Sequence, residues 1–330
     1  MKKSTIALAV LAAAISGTAS AYEVVNTDDT KLSVGGFAEA RYRSLKGNDD
    51  AATPTPDKKS DTSRARINLV GEKKINDTYS SFGKVEIEFK QHDTQTHRAM
   101  YAGVKGDMGS ISFGRNEPSV GLKNARNLSD IQVEGVEDTR KLPKALKDWA
   151  GAQFTYEYAT DLFEVAAIYA LEDEGETKDN QGKAYAASAK VKTDFGLQVG
   201  IGYGAGQRHS DFQNGSWTDN IDESVLYVGT QYKLDQLTLG LTYHDMGKDI
   251  DQKGFEAVAR YDFDKLSISA GYLHEEEKVS GKTNDLYKSA VISAGYNFTD
   301  NFLVHAGIAT NSADDASFDR VARIAAKYYF

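Results

Sequence analysis

Hydrophobic and polar residues alternate along most of this chain with a period of two. In residues 64–69, two arginines and an asparagine alternate with Ala65, Ile67 and Leu69. The same alternation recurs in residues 84–89, 197–203, 237–244, 255–261 and 266–272. Successive side chains of a β-strand point to opposite faces, so this period indicates strands with one apolar and one polar face. Sixteen segments of the chain fit this description.

The connections between these segments fall into two alternating classes of length. The short ones carry Asp, Asn, Gly or Thr, the chemistry of tight turns: Asn76-Asp77, Gly106-Asp107, Thr160-Asp161, Thr193-Asp194, Asp235-Gln236, residues 262–264 and residues 299–301. The long ones, most of them polar and charged, are residues 46–61, 91–96, 116–150, 172–182, 206–222, 246–252, 275–285 and 311–318. Short periplasmic turns and longer external loops are typical of outer-membrane barrels, which must close to satisfy their backbone in lipid. We therefore predict an all-β fold, a 16-stranded antiparallel transmembrane β-barrel.

Aromatic residues occur at the ends of many apolar strand faces. They are Phe89, Tyr203, Tyr243, Tyr261, Tyr272, Tyr328 and Phe330. A soluble sandwich would also alternate, but it would not need an aromatic residue at these positions. Girdles of aromatic residues at the two membrane interfaces explain the placement. The polar faces are rich in glycine, threonine and charge, which suits water inside a barrel.

The first 21 residues have the pattern of a secretory signal. Lys2 and Lys3 precede a short apolar run, and Ala19-Ser20-Ala21 has the form of a cleavage site. The apolar run is too short to cross a bilayer as a helix. We expect residues 1–21 to be removed and residues 22–330 to form a single barrel domain.

Composition limits the partners of the chain. Its formal charge is −9, and loss of two lysines with the signal leaves −9 − 2 = −11. Such an acidic balance argues against nucleic acid as a partner. The chain has no cysteine, so backbone pairing and packing must stabilise it without disulfides.

The alternation stops for more than thirty residues at the third long connection, residues 116–150. Two of the four prolines, Pro118 and Pro143, lie in this segment. A compact domain rarely keeps so long a loop unless the loop is functional. We predict that this third loop folds into the barrel and forms the constriction of a pore.

Three segments resemble the general, non-specific porin family of Gram-negative outer membranes: MGSISFGRN at residues 108–116, RAMYAGVK at residues 98–105, and RVARIAAKYYF at residues 320–330. The resemblance implies a homotrimer with an inward-folded third loop. It also implies a channel for passive diffusion of ions and small hydrophilic solutes. The last strand, with Tyr328 and Phe330, resembles the signal read by the outer-membrane assembly machinery.

Period two places five arginines on the inward faces of the first, second and fourth strands: Arg41, Arg43, Arg64, Arg66 and Arg98. The resemblance implies that such a basic cluster forms one wall of the constriction. Acids of the third loop should face it, and we favour Asp130, Glu134, Glu137 and Asp138. Opposite charges across a wet gap favour polar solutes. We expect a mild cation preference. In the alternative interpretation, the arginines pair with Glu39, Glu86 and Glu88 and stabilise the lumen wall.

No group of residues points to catalysis, a cofactor or a metal ion. Of the six histidines, only His92 and His97 are close in sequence. An outer-membrane enzyme would need a preorganised catalytic group, and an adhesin or receptor would display larger loops. We place the acidic runs Asp49-Asp50, residues 172–174 and residues 275–277 in external loops. There they serve solubility or bridge divalent cations to the phosphates of lipopolysaccharide.

Overall fold

A computed structural model describes residues 22–48, 56–91, 93–133, 142, 146, 150–171, 181–209, 212–213, 216–217, 220–249, 251–313, 316 and 318–330. Sixteen antiparallel strands form a closed barrel, as predicted. They are β1 (Thr30–Gly47), β2 (Arg64–Lys74), β3 (Ser80–Lys90), β4 (Asp93–Gly106), β5 (Gly109–Asn116), β6 (Ala150–Ala159), β7 (Phe163–Ala170), β8 (Gln181–Lys192), β9 (Leu197–His209), β10 (Asn220–Leu234), β11 (Leu237–Lys248), β12 (Gln252–Phe263), β13 (Leu266–Val279), β14 (Lys282–Thr299), β15 (Phe302–Asn311) and β16 (Phe318–Tyr329).

The described residues also contain four short strand segments. Tyr22–Asn26 and Lys58–Asp61 both pair with β1, at its two ends. Phe212–Gln213 and Ser216–Trp217 form a small separate hairpin in the connection between β9 and β10. The predicted signal, residues 1–21, lies outside the described residues, so its boundary stays a prediction.

The barrel closes where β16 pairs with β1. Phe37 lies opposite Tyr329, and the pairing continues to Lys46 opposite Arg320. Beyond β16, the terminal Phe330 exchanges two backbone hydrogen bonds with Gly36, at 2.9 and 3.2 Å. On its other side, a Cβ at Gly36 would lie 2.0 Å from the carbonyl oxygen of Arg66 on β2, so only glycine fits at this position.

The two faces of the strands divide as the alternation predicts. On β11, Leu239, Leu241 and Tyr243 are exposed on the outer face, whereas Thr242 and His244 are buried on the inner face. No helix in the described part of the chain is long and apolar enough to cross a membrane. The short turns also carry the predicted chemistry, because Asp235 and Asp264 adopt the left-handed conformation that aspartate tolerates in turns.

Three of the predicted long connections are wrong in length. β13 and β14 continue through residues 275–285 and are joined by Ser280 and Gly281, whose φ angles of 52° and 80° make a tight hairpin turn. The acidic run 275–277 therefore lies on a strand, and Glu275 is fully buried. The connections predicted at residues 91–96 and 246–252 are also shorter and span residues 91–92 and 249–251. Charged composition suggested loops here, but alternating charged residues also continue a strand. Asp49-Asp50 and residues 172–174 lie outside the described residues.

The third loop folds into the barrel, which confirms the prediction. It begins with a 3₁₀ helix, Pro118–Leu122, and continues through the short helix α1 (Lys123–Arg126) and a second 3₁₀ turn, Asn127–Ser129. Asn124 Nδ2 donates to the Ser188 carbonyl on β8 at 3.3 Å. Further along, the backbone amide of Val133 donates to Ser269 Oγ on β13 at 2.9 Å. The described part of the loop thus crosses the inner wall from β8 to β13.

Glycines on the inner wall make room for this loop. A Cβ at Gly200 would lie 2.0 Å from the carbonyl oxygen of Asn124, and one at Gly229 would lie 2.3 Å from that of Ala125. The sequence pattern assigned these inward glycines to a water-filled interior. They instead allow the loop backbone to approach the sheet closely, as glycine does where two backbones meet.

An apolar cluster holds the loop against the wall. Leu122, Ala125 and Leu146 of the loop pack with side chains of β7, β8, β10 and β11, namely Ile168, Ala170, Ala184, Ala186, Val225, Tyr227 and Met246. Leu122 and Leu146 are fully buried. One side of the barrel interior is therefore a packed core rather than open water.

Candidate pore constriction

The inner face of β16 and β1–β4 carries a dense set of charges on the side of the barrel away from the seat of the loop. We define the basic wall as the cations Arg41, Arg43, Arg64, Arg66, Lys84, Arg98, Arg323 and Lys327, together with the glutamates Glu39, Glu86 and Glu88. This set contains eight cations and three acids, a surplus of 8 − 3 = 5 positive charges. Strand register places these residues side by side, except that Arg98 lies in a β-bulge of β4, where the pairing with β3 skips from Ala99 to His97.

Glu39 on β1 is the centre of one group of contacts. Arg64 Nε donates to Glu39 Oε2 at 2.5 Å, and Arg41 Nη1 lies 3.5 Å from the same oxygen. On the other side, His305 Nε2 and Lys327 Nζ approach Glu39 Oε1 at 3.5 and 3.9 Å. The Glu39 side chain is 2% exposed. A carboxylate so buried is stable only with charged partners.

Glu86 and Glu88 on β3 make a second group of contacts. Arg66 Nη2 donates to Glu88 Oε2 at 2.6 Å and also lies near Glu86, with Nη1 3.4 Å from Oε1. Arg98 Nε donates to Glu86 Oε1 at 3.0 Å, and Lys84 Nζ lies 3.0 Å from the other oxygen of this carboxylate. Each acid bridges two or more cations of neighbouring strands.

The five predicted arginines thus share one wall. Four of them, Arg41, Arg64, Arg66 and Arg98, contact a wall glutamate, which is the contact that the alternative interpretation describes. These four side chains nevertheless keep 18–26% of their surface exposed. Because cations outnumber acids, pairing and a positive lumen wall occur together. Arg43 lies directly opposite Arg323 of β16.

The loop acids are only partly described. Asp130 is exposed and follows the second 3₁₀ turn of the third loop, where its amide donates to the Asn127 carbonyl at 3.1 Å. Glu134, Glu137 and Asp138 lie outside the described residues. That these acids face the basic wall stays a prediction.

Sequence reasoning missed three cations of the wall: Lys84, Arg323 and Lys327. The signal was available, because period two places residues 321, 323, 325, 327 and 329 on one face of β16. The assembly role predicted for Tyr328 and Phe330 stays a prediction. Tyr328 is exposed on the outer face, and Phe330 lies at the seam with Gly36.

Phe37 was also missed. This ring is buried on the inner face of β1, where the charged residues lie. Arg64 and Arg66 place their guanidinium carbons 5.3 and 5.2 Å from the ring centroid, and Lys327 Nζ lies 4.1 Å from it. These distances are within the range of cation–π interaction.

Acids also line the wall on the loop side of the interior. Glu223, Glu256 and Glu275 are buried on the inner faces of β10, β12 and β13, together with His244 of β11. Gln132 Nε2 of the third loop donates to Glu256 Oε1 at 3.4 Å. The polar face of these strands therefore contacts the loop.

One group near the external end of β13 and β14 has the residue types of a metal site. Donor atoms of His274, Glu276 and Asp285 lie within 4.8 Å of one another. Both carboxylates already hold an ammonium group, Lys288 at 2.5 Å from Asp285 and Lys253 at 2.9 Å from Glu276. The group is a charge-compensated network on the outer surface, separate from the basic wall.

Comparison with known proteins identifies the family. A family model described as Gram-negative porin matches residues 7–316. The chain belongs to the Gram-negative porin family. Porin-like protein L of Photobacterium profundum is 30% identical to this porin over 331 residues, covering 95% of this chain and 94% of that protein. Outer membrane porin protein OmpD of Salmonella typhimurium is 27% identical over 361 residues, covering 98% and 96%.

Solved structures share the fold of this porin. OmpF of Salmonella typhi, in complex with daunomycin, superposes with a TM-score of 0.78 at 23% identity and covers 94% of this chain and 100% of that one. The trimer form of OmpT, an outer membrane protein of Vibrio cholerae, gives a TM-score of 0.71 at 19% identity, covering 92% and 100%.

Proposed function

We propose that this porin forms a water-filled channel for passive diffusion of ions and small hydrophilic solutes across the outer membrane. The observation that carries this proposal is the asymmetric interior of the closed barrel. The third loop packs on one side of the interior, and partly exposed charged side chains line the other. Packed apolar residues on all sides would instead describe a closed core.

Charge gives this channel its preference for polar solutes. A hydrated ion or a polar molecule interacts favourably with the charges of the basic wall, whereas an apolar molecule must lose contact with water and gains no such interaction. We infer no catalytic activity, because the charged residues pair with one another in structural networks. An outer-membrane enzyme would need a nucleophile with an adjacent base.

We further propose a mild cation preference. The mature chain, after loss of residues 1–21, has a charge of −9 − 2 = −11, and the external acids enrich cations at the channel mouth. The basic wall opposes this effect. Since exposed charges are screened over about 8–10 Å at physiological ionic strength, the preference should weaken as salt increases.

Purified protein in a planar lipid bilayer tests the channel directly. We expect stepwise currents that increase with salt concentration, and liposomes that swell in small sugars but not in large ones. Folded protein that inserts into the bilayer and gives no current would contradict the proposal.

The partners that we propose follow from the family. The OmpT structure named above is a trimer, and the outer face of β1 and β2 carries Ala38, Ala40 and Ala65, small residues that permit close packing of a second copy. A homotrimer should migrate differently on a gel before and after boiling; migration as a monomer after every mild extraction would contradict it. Lipopolysaccharide and the assembly machinery are the other proposed partners.

A further inference from the structure

Phe37 is an exception to the polar pattern of the basic wall. It shares the inner face of β1 with Glu39, Arg41 and Arg43, yet its side chain is aromatic. In a water-filled interior such a ring is unfavourable unless other groups cover it. Phe37 is only 8% exposed. Charged side chains provide a large part of the cover.

Strand register brings these side chains over the ring from both sides. Phe37 pairs with Arg66 of β2 and with Tyr329 of β16, and the next inward residue, Glu39, pairs with Arg64 and Lys327. The ring therefore lies between the two strands that supply cations. Tyr329 meets it edge-on, with centroids 6.3 Å apart and an interplanar angle of 68°.

Three cations contact the ring in addition to their carboxylate partners. Arg64 and Lys327 approach Glu39 at 2.5 and 3.9 Å, and Arg66 binds Glu88 at 2.6 Å. Each also lies over Phe37, at 5.3, 4.1 and 5.2 Å from its centroid for Arg64, Lys327 and Arg66. Arg64 and Arg66 each also lie within 4 Å of a second carboxylate, and Lys327 lies 4.9 Å from the Tyr329 ring centroid. A further contact, on the negative face of the Phe37 ring, narrows the positions that these cationic groups can take.

We propose that Phe37 is an uncharged determinant of ion selectivity, a positioning residue that holds the cationic groups of Arg64, Arg66 and Lys327 at the lumen wall. This proposal rests on the proposed function as a channel. The fixed charge of the wall does not depend on Phe37, but the position of that charge does. Weakening the ring's negative face should let the cationic groups move into water, where they are screened.

Replacement of Phe37 by fluorinated phenylalanines tests this idea with little change in shape. Fluorine withdraws electrons from the ring face, so mono-, di- and trifluorophenylalanine weaken cation–π interaction stepwise. We expect the reversal potential in a KCl gradient to move stepwise toward greater cation preference. The permeability ratio should change by about twofold at the trifluoro step, as for the loss of one weak cation–π contact.

Phe82 provides the matched control. It also faces inward, on β3, and meets Tyr101 edge-on at 6.3 Å. The same fluorinated series at Phe82 should leave the reversal potential unchanged. Equal shifts at the two positions, or no shift at Phe37 in a conducting channel, would overturn the proposal. A wild-type protein that does not conduct would instead contradict the proposed function.

A mutant cycle separates positioning from a direct effect of the ring. Phe37→Leu should shift the reversal potential in the wild-type background, and Phe37→Tyr should not, because tyrosine keeps the aromatic face. In a channel that carries Arg64→Gln, Arg66→Gln and Lys327→Gln, the Phe37→Leu change should have no further effect. The same shift in both backgrounds would show that the ring does not act through these cations.

Discussion

At the scale of single residues, this porin concentrates charge around a few buried carboxylates. Glu39 contacts cations of β1, β2 and β16 and a histidine of β15, so one side chain links four strands. Arginine suits such a site because its planar group serves two acceptors at once, as Arg66 does with Glu86 and Glu88. The wall is therefore a network, and removal of one acid affects several cations.

Substitution Glu39→Gln should change both stability and selectivity. Loss of one partner from a buried ion pair costs about 3–5 kcal/mol, and partial exposure of the arginines reduces this to about 1–3 kcal/mol here. The surplus of the wall increases from five to six, so the reversal potential should move toward anions. Urea unfolding and salt-gradient recordings measure the two effects.

Glu72→Gln is the control for this substitution. Glu72 pairs with Lys105 at 2.6 Å, outside the basic wall. Glu72→Gln should lower the free energy of unfolding less than Glu39→Gln does. Equal effects of the two variants on stability and on reversal potential would contradict a central role of Glu39 in the basic wall.

At the scale of elements, the third loop depends on the strands that it crosses. Inward glycines of β9 and β10 admit its backbone, and an apolar cluster holds Leu122 and Leu146. Alternation predicted which residues face inward. It could not predict which of them meet the loop and which meet water, because that depends on contacts between segments far apart in sequence.

Gly229→Ala should displace the third loop. Its Cβ would lie 2.3 Å from the Ala125 carbonyl oxygen, which is too close for the present loop position. We expect a changed single-channel conductance and lower thermal stability. Gly71→Ala is the matched control, since a Cβ there meets nothing within 4 Å. Identical conductance for Gly229→Ala, Gly71→Ala and the wild type would contradict the role of Gly229.

The last strand permits a second test at this scale. Deletion of Phe330 removes both of its backbone hydrogen bonds with Gly36 at the barrel seam. We expect the protein to be exported but to accumulate in the periplasm or be degraded. Cell fractionation at native expression measures this, and normal amounts in the outer membrane would contradict the expected role of the terminal residue.

At the scale of the whole molecule, the sequence predicted the barrel well and the interior less well. Period two and turn chemistry are local, so sixteen strands and most of the short turns could be read directly. Arg41, Arg43, Arg64 and Arg66 followed from the same parity, whereas Arg98 meets Glu86 at a β-bulge that period two does not predict. Their pairing with Glu39, Glu86 and Glu88 could be named only as an alternative, because strand register is needed to decide it. The hairpin at Ser280 and Gly281 could not be predicted, because the charged residues around it are equally typical of a loop.

If the basic wall lines the path of ions, charge changes on the wall and on the third loop must alter ion selectivity. We predict that replacing the loop acids Glu134, Glu137 and Asp138 by Gln or Asn shifts selectivity toward anions. Lys253→Ala with Lys288→Ala removes positive charge from the outer face and should leave the reversal potential near that of the wild type. The first variant tests the loop acids, and the second is the control for loss of charge outside the lumen.

The most direct measurement is the reversal potential, in a salt gradient, of a channel that carries Arg64→Ala, Arg66→Ala and Arg98→Ala together. The change removes three positive charges and three long side chains from the wall. We predict a stronger cation preference and a larger conductance than in the wild type, with the shift greatest at low salt. An unchanged reversal potential together with an unchanged conductance would contradict the claim that these arginines line the constriction.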